Sequence, residues 1–289
     1  MDLDTRRFRA DAADDVQISD FPTTIDELYE SKKDYKKLLA RNVKTLGRFQ
    51  RKLYAHDRYA VLLVFQGMDA SGKDGAVRHV FSGVNPQGVQ VFSFKQPSSE
   101  ELDHDYLWRI HRRMPERGKF GIFNRSHYEE VLIARQEPGV IEGQRLPAEL
   151  RNRPLFWEER YQDIVLFEDY LHRNGTVILK FYLHLSYEEQ RKRLLSRIDN
   201  PNKNWKFADS DLEVRGEWDD YESLYEECLR RTSKASAPWY VVPADDKRNA
   251  RLIISQILVN ELTRLPVSFP EVSDERRVKL QQMRRQLDA

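Results

Sequence analysis

Eight consecutive residues, Gly67-Met-Asp-Ala-Ser-Gly-Lys-Asp74, have the types and spacing of a loop that holds phosphate. They satisfy G-x-x-x-x-G-K, in which backbone N–H groups cradle phosphate oxygens, the following helix contributes its positive N-terminus and the lysine adds a point charge. Gly67, Ala70, Ser71, Gly72, Lys73, Asp74 and the following Gly75 are therefore candidate phosphate- and nucleotide-binding residues. The Ser or Thr that usually follows the lysine is Asp74 in this chain, and a second acid, Asp69, sits inside the loop. Two carboxylates beside a phosphate site repel the ligand unless a cation lies between them, so this spelling implies Mg²⁺ as cofactor.

A second constellation is Phe123-Asn-Arg-Ser-His-Tyr-Glu-Glu-Val131, at the end of an expected short strand where loops of an open α/β sheet form a ligand crevice. Arg125 suits bidentate hydrogen bonding to phosphate oxygens. Ser126 and Glu129 have capping-box spacing, so a helix cap and a charged role are both open for Glu129. His127 reads as a packing or hydrogen-bonding residue. Basic residues also cluster. Six Lys/Arg lie between Arg109 and Arg125 against the single acid Glu116, and another six between Arg191 and Phe207 against Asp199. In a chain of net charge +1, such patches point to a polyanion. The stretch 199–207, with Lys203, Trp205 and Lys206 among turn-forming residues, reads as a mobile cationic lid.

The elements that must position these residues follow from apolar patterning. Apolar residues at three- and four-residue spacings from Thr24 to about Tyr54 predict a long amphipathic helix opened by Thr24 and Glu27 in capping-box spacing, leaving 1–23 as an exposed tail. The run Tyr59–Phe65 is continuously apolar, as a parallel strand covered on both faces should be. Strands are expected at 89–94, 120–124, 176–183 and 238–242, and helices at 73–81, 98–114, from near Ser126, across 146–174 and at 187–198. This alternation predicts an α/β fold, a doubly wound parallel sheet with helices on both faces. One domain is expected over 24–265, with the lid at about 199–215 and a charged C-terminal segment over 266–289. The 48 Lys+Arg against 47 Asp+Glu speak against a general nucleic-acid or membrane-surface binder. A single cysteine, Cys228, allows no intramolecular disulfide and fits a reducing compartment. Met1 to Asp15 is acidic without the apolar stretch of a signal peptide, and Ala60–Phe65, the longest apolar run, is too short to span a membrane. A soluble, cytoplasmic protein is expected.

Taken together, Gly67–Gly75, Val84-Asn-Pro-Gln-Gly88, Asp105-Tyr-Leu-Trp-Arg109, Phe123–Tyr128, Asn204-Trp-Lys-Phe207 and Ala237-Pro-Trp239 closely resemble the family-2 polyphosphate kinases, from about the first helix to about Leu262. The resemblance implies a P-loop, thymidylate-kinase-like core with a helical lid. It also implies Mg²⁺-dependent, reversible phosphoryl transfer between inorganic polyphosphate and adenine nucleotides, with the purine preference left open. By residue, it assigns phosphate and metal handling to Asp69, phosphate binding to Lys73, the second-motif arginine to Arg125, and lid contacts to Lys203 and Lys206. Arg78, Arg109, Arg112 and Arg113 are expected along the polyphosphate path, Asn124 near the nucleotide, and Asp69 with Glu129 at the metal. Many members have Asp at the position of Asn124, so metal ligation is not assigned there. The Asn-Arg-Ser-His-Tyr spelling followed by Glu129 resembles the branch that accepts both AMP and ADP. A homo-oligomer, dimer or tetramer, is implied, with no nucleic-acid or membrane partner. The competing readings are an ATP-using nucleoside monophosphate kinase and a non-catalytic nucleotide- or polyphosphate-binding regulator.

Overall fold

A computed structural model describes residues 3–10 and 16–288. Six strands form one sheet in the order β1-β6-β5-β2-β4-β3, with β1 Arg9–Ala10, β2 Ala60–Gln66, β3 Val89–Ser93, β4 Phe120–Asn124, β5 Thr176–His184 and β6 Trp239–Pro243. All pairings among β2 to β6 are parallel. β2 is central because every one of its residues is apolar or buried, and side-chain alternation splits it between two cores. Val61, Leu63 and Phe65 pack with Leu46, Phe49 and Leu53 of helix α1 (Lys32–His56) and with Ile253, Ile254 and Ile257 of the helix Lys247–Leu262. Leu62 and Val64 pack on the other face with Ile164 of the helix Phe156–Arg173 and with Tyr225 and Leu229 of the helix Trp218–Thr232. The sheet is thus covered on both faces, as the alternating elements require.

Several expectations from local pattern are corrected. The first helix begins at Lys32, where the Ser31 hydroxyl accepts from Asp34 N at 3.1 Å, and not at Thr24. Residues 25–28 form no helix because the Asn249 side chain takes their backbone groups, accepting from Leu28 N and donating to the carbonyls of Ile25 and Asp26. The expected exposed tail is docked: β1 adds antiparallel to β6, and Phe8, Ala10 and Ile18 are buried. Its acidic stretch 11–15, like Met1, Asp2 and Ala289, lies outside the described residues. The 98–114 helix breaks into Ser99–Leu102, with the Ser98/Glu101 capping box formed, and Trp108–His111, because the Asp105 carboxylate accepts from Leu107 N and starts a new turn. The 146–174 helix divides at Pro154, leaving Ala148–Arg151 and Phe156–Arg173. Past the second of these the chain turns through Gly175 at φ +87°, a left-handed conformation suited to glycine. At the far end Val267 is buried in the core, so the C-terminal segment leaves the domain beyond it, and Asp274–Leu287 is a helix with no buried residue.

Candidate active site

The phosphate loop leaves the C-terminal end of β2, where the chain order reverses between β4 and β5 and a crevice must open. Its turn needs glycine at Gly67: φ is +146°, and a Cβ there would lie 2.9 Å from the Leu183 carbonyl. Helix α2 (Lys73–Val80) then begins with Gly72 as its N-cap. Lys73 folds back over the loop, its ammonium donating to the carbonyl of Gly67 at 2.5 Å and of Met68 at 3.3 Å. Burial pushes its pKa down to about 8; the nearby Arg125 adds to the fall, and Asp69, Glu129 and Asp74 oppose it.

Arg125 meets this loop from the end of β4. Its backbone sits at φ 61°, a conformation costing a non-glycine residue roughly 1–2 kcal/mol, and is held there by donation from its N–H to the Phe65 carbonyl. Arg125 Nη2 donates to Asp69 Oδ1 at 2.6 Å. Burial works against both charges. For Asp69 the cations Lys73, Arg125 and Arg197 outweigh it and hold the carboxyl below the ordinary carboxylate range. For Arg125 the carboxylates Glu129 and Asp69 outweigh it and hold the guanidinium above its ordinary pKa. Asn124 donates to Asp74 Oδ1 at 2.5 Å, orienting the acid that replaces the usual hydroxyl.

The residues after Arg125 lock this turn in place. The Ser126 hydroxyl accepts from Tyr128 N, opening one turn of 3-10 helix, His127–Glu130, where a helix was expected to begin. The capping-box reading of Glu129 is corrected, since its Oε1 accepts from Gln66 Nε2 at 2.9 Å. His127 is fully buried, with its Nε2 3.4 Å from Glu168 Oε1. Tyr128 donates to the same carboxylate at 2.8 Å, and Lys180, in the middle of β5, donates to Glu168, to the Tyr128 hydroxyl and to the Thr232 carbonyl.

These residues border an open cleft of about 740 Å³. Asp69, Ala70, Ser71, Gly72, Lys73, Asp74, Gly75, Asn124, Arg125, Lys203 and Lys206 all line it, whereas Gly67 and Glu129 face a small adjoining recess together with Asp69 and Arg125. The lid stretch is folded onto its neighbour helix Tyr187–Ile198: Lys203 Nζ donates to Ser196 Oγ, and Asn204 Nδ2 to the carbonyls of Arg197 and Ile198. Trp205 stands 76% exposed beside Lys206, whose ammonium is 4.9 Å from the indole centre. Arg78, Arg109, Arg112 and Arg113 are not among the lining residues. Arg109 is buried, donating to the Lys95 carbonyl at 2.7 Å and to Glu130, while Arg112 stacks on Trp108 and Arg113 on Phe92. Sequence reasoning missed Lys95, Lys192, Arg193, Arg197 and Lys247 as individual site residues. Lys95 and Lys247 were findable by the rule that ligands sit beyond the carboxyl ends of strands, since they follow β3 and β6. Arg193 carried no such signal. It is buried under the loop and donates to the carbonyls of Ala70, Ser71, Ala244 and Asp245, tying β2 and β6 loops to one helix. Nine Lys/Arg and four Asp/Glu line the cleft, an environment for a strongly anionic ligand.

The family model described as polyphosphate kinase 2 matches residues 29–269. The chain belongs to the polyphosphate kinase 2 family. It is 53% identical over 287 residues, 99% of both chains, to a Rhodopseudomonas palustris protein named ADP-polyphosphate phosphotransferase. It is 47% identical over 226 residues, 78% of this chain and 80% of the other, to a Meiothermus ruber AMP/ADP-polyphosphate phosphotransferase. Among solved structures, polyphosphate kinase 2 from Arthrobacter aurescens superposes with a TM-score of 0.81 at 37% identity, over 93% of this chain and 94% of that one. The resemblance read from the motifs and the α/β fold read from their alternation therefore both hold for this chain. No helix among the described residues is long and apolar enough to cross a membrane.

Proposed function

We propose that this chain transfers phosphoryl groups reversibly between inorganic polyphosphate and adenine nucleotides, taking AMP to ADP and ADP to ATP. The observation that carries this reading is the Arg125–Asp69 ion pair within electrostatic reach of Lys73, all three lining a cleft rich in cations. Phosphoryl transfer needs positioning and charge neutralisation more than covalent chemistry from the protein. Backbone N–H groups at 70–73 would cradle the phosphates, Lys73 and Arg125 would neutralise oxygens of the transferred group, and Asp69 holds Arg125 in its orientation. Lys203, Lys206, Lys192 and Lys247 would hold the polyanion and cover it. With Arg109 buried and paired, the chain's path is assigned first to these lining lysines; Arg78, Arg112 and Arg113 remain candidates farther out.

Mg²⁺ fits the donor set. Among the described residues no three His, Cys, Asp or Glu side chains cluster as a closed metal site. An ion held by one or two carboxylates and completed by phosphate oxygens and water needs no such cluster. Asp69 and Glu129 would hold it, with Asp74 at the loop, and when bound it would neutralise charge on the phosphoryl oxygens. A cytoplasmic homo-oligomer that binds no nucleic acid completes the proposal.

The test is incubation with AMP and Mg²⁺ and either polyphosphate or ATP as sole donor. Formation of ADP and then ATP from polyphosphate supports the reading; transfer from ATP alone makes the protein a nucleoside monophosphate kinase, and binding without transfer makes it a regulator. The names of the two relatives differ in whether AMP is an acceptor. Glu129 is where we expect this chain's choice to be made. AMP lacks a phosphate that ADP brings, and a carboxylate-held cation can fill that role. Glu129→Gln should slow AMP phosphorylation more than ADP phosphorylation; equal loss would assign Glu129 to chemistry common to both.

A further inference from the structure

Helix α1 carries nine Lys/Arg and one acid, Asp34, in a chain whose overall charge is +1. Its buried face, with Leu39, Val43, Leu46 and Phe49, accounts for its position but not for this charge. Lys32, Lys36 and Lys44 lie at multiples of four residues, so they form one row along the helix. That row borders a second groove, of about 720 Å³, closed on its other sides by Arg248 and Arg251 and by His79 of α2. No carboxylate lines it. Asp246, the N-cap residue close to Arg248 in the chain, is occupied in capping the Lys247–Leu262 helix and accepts from the Tyr29 hydroxyl at 2.6 Å.

The groove adjoins the active-site cleft. In α2, Asp74 and Gly75 line the cleft while His79, about 6 Å further along the helix axis, lines the groove. In the neighbouring helix, Lys247 lines the cleft and Arg248 and Arg251 line the groove. Arg251 lies against the first turn of α2, so close that a Cβ added to Gly75 would meet its Nη2 at 3.3 Å. Cations therefore run from the phosphate loop over the shoulder of α2 onto α1. We propose that this groove is an accessory site for the distal part of a long inorganic polyphosphate chain, anchoring it while its end reacts at Lys73; the inference rests on the functional reading above. Single-stranded nucleic acid is the less suitable occupant, because it gains affinity by stacking bases on exposed rings. Of the two rings in the groove, Tyr35 is 7% exposed, with Tyr29 packed edge-on against it, and His79 is half-buried with its Nδ1 2.8 Å from the Gly75 carbonyl oxygen, so neither offers a free stacking face.

The experiment compares wild type with Lys32→Glu/Lys36→Glu/Lys44→Glu, all three being exposed positions. Binding of fluorescently labelled long-chain polyphosphate is measured against salt, and turnover is measured with long chains and with tetraphosphate as donors. The expected result is at least about a tenfold weaker Kd for the long chain and a log–log salt slope smaller by roughly 2, with tetraphosphate turnover unchanged, because three phosphate contacts are lost. Unchanged long-chain affinity would overturn the proposal. So would equal loss on both donors, or equally tight binding of single-stranded DNA of matched charge that is weakened equally by the substitutions. Lys73→Ala should retain long-chain binding while losing turnover. If wild type turned over neither donor yet bound long chains as described, the functional reading would fail and the groove would stand.

Discussion

Lys73 is a lysine weakened by its own position. With its pKa near 8, it is mostly charged at neutral pH and loses that charge within one or two units of added base. Since kcat/KM reports groups on the free enzyme, it should fall as pH rises through about 8. The kcat limb should lie higher, because bound phosphate places negative charge beside the ammonium, and Lys73→Arg should move the kcat/KM limb out of range. A limb near 8 that persists in Lys73→Arg would assign it to another group. The linkage to stability has a definite sign. Between about 8 and the ordinary 10.5 the folded state holds fewer protons here than the unfolded state, so Lys73 destabilises the fold below that window and the cost is relieved as pH rises through it. Asp69 acts oppositely: its pKa is lowered, so the stabilisation it contributes is present above the ordinary carboxylate pKa and is lost as pH falls through its folded value. Lys73→Ala and Asp69→Asn should each cost about 10²–10³ in turnover, as loss of one preorganised charge contact does. Near-wild-type turnover in either would remove that residue from the mechanism.

Between elements, the turn that presents Arg125 is fixed from behind by the buried group of Lys180, Glu168, Tyr128 and His127, contributed by β5, the helix Phe156–Arg173 and the turn itself. A buried ion pair adds little net stability, but removing one partner strands the other charge. Glu168→Gln is therefore expected to lower the unfolding free energy by about 3–5 kcal/mol, while Glu168→Leu with Lys180→Met restores much of it. Restored stability with depressed turnover would show that the network also places Arg125 through Tyr128. Restored stability with full turnover would make it structural alone. None of this was legible in the sequence, where Lys180 is one polar residue in an apolar strand and Glu168 one acid in a charged helix. What could be read was whatever is written consecutively: the phosphate loop, the strand before it, the helix after it and the second motif. Arg193 is the contrary case, because the carbonyls it ties lie roughly 50 and 120 residues away. The misplaced start of α1 has the same cause, since Thr24 and Glu27 offered a sound local cap and Asn249, distant in sequence, claimed the backbone instead.

Across the whole molecule, charge is segregated although its sum is nearly zero: α1 and the cleft carry the excess of cations, so acids must predominate elsewhere, and the field at the two grooves is far stronger than +1 suggests. Salt should therefore weaken polyphosphate binding much more than binding of adenosine, which has no phosphate to screen. The C-terminal helix stands outside this arrangement. Asp274–Leu287 buries no residue, and its apolar positions Leu280, Met283 and Leu287 are 42%, 47% and 88% exposed. A helix that buries nothing contributes nothing to the core, and an isolated helix of this length is marginal in water. The domain proper closes with Val267, which packs in the core, so a chain ending at Pro270 keeps every buried contact. Such a truncation should leave the unfolding free energy unchanged within about 0.5 kcal/mol, the scale of ordinary surface changes. Light scattering of the same two proteins measures the other use such a helix can have. A fall in particle mass at constant stability would place Leu280, Met283 and Leu287 in the contact between copies. A loss of stability without any change in mass would mean that the helix packs back on its own domain, contrary to its exposure.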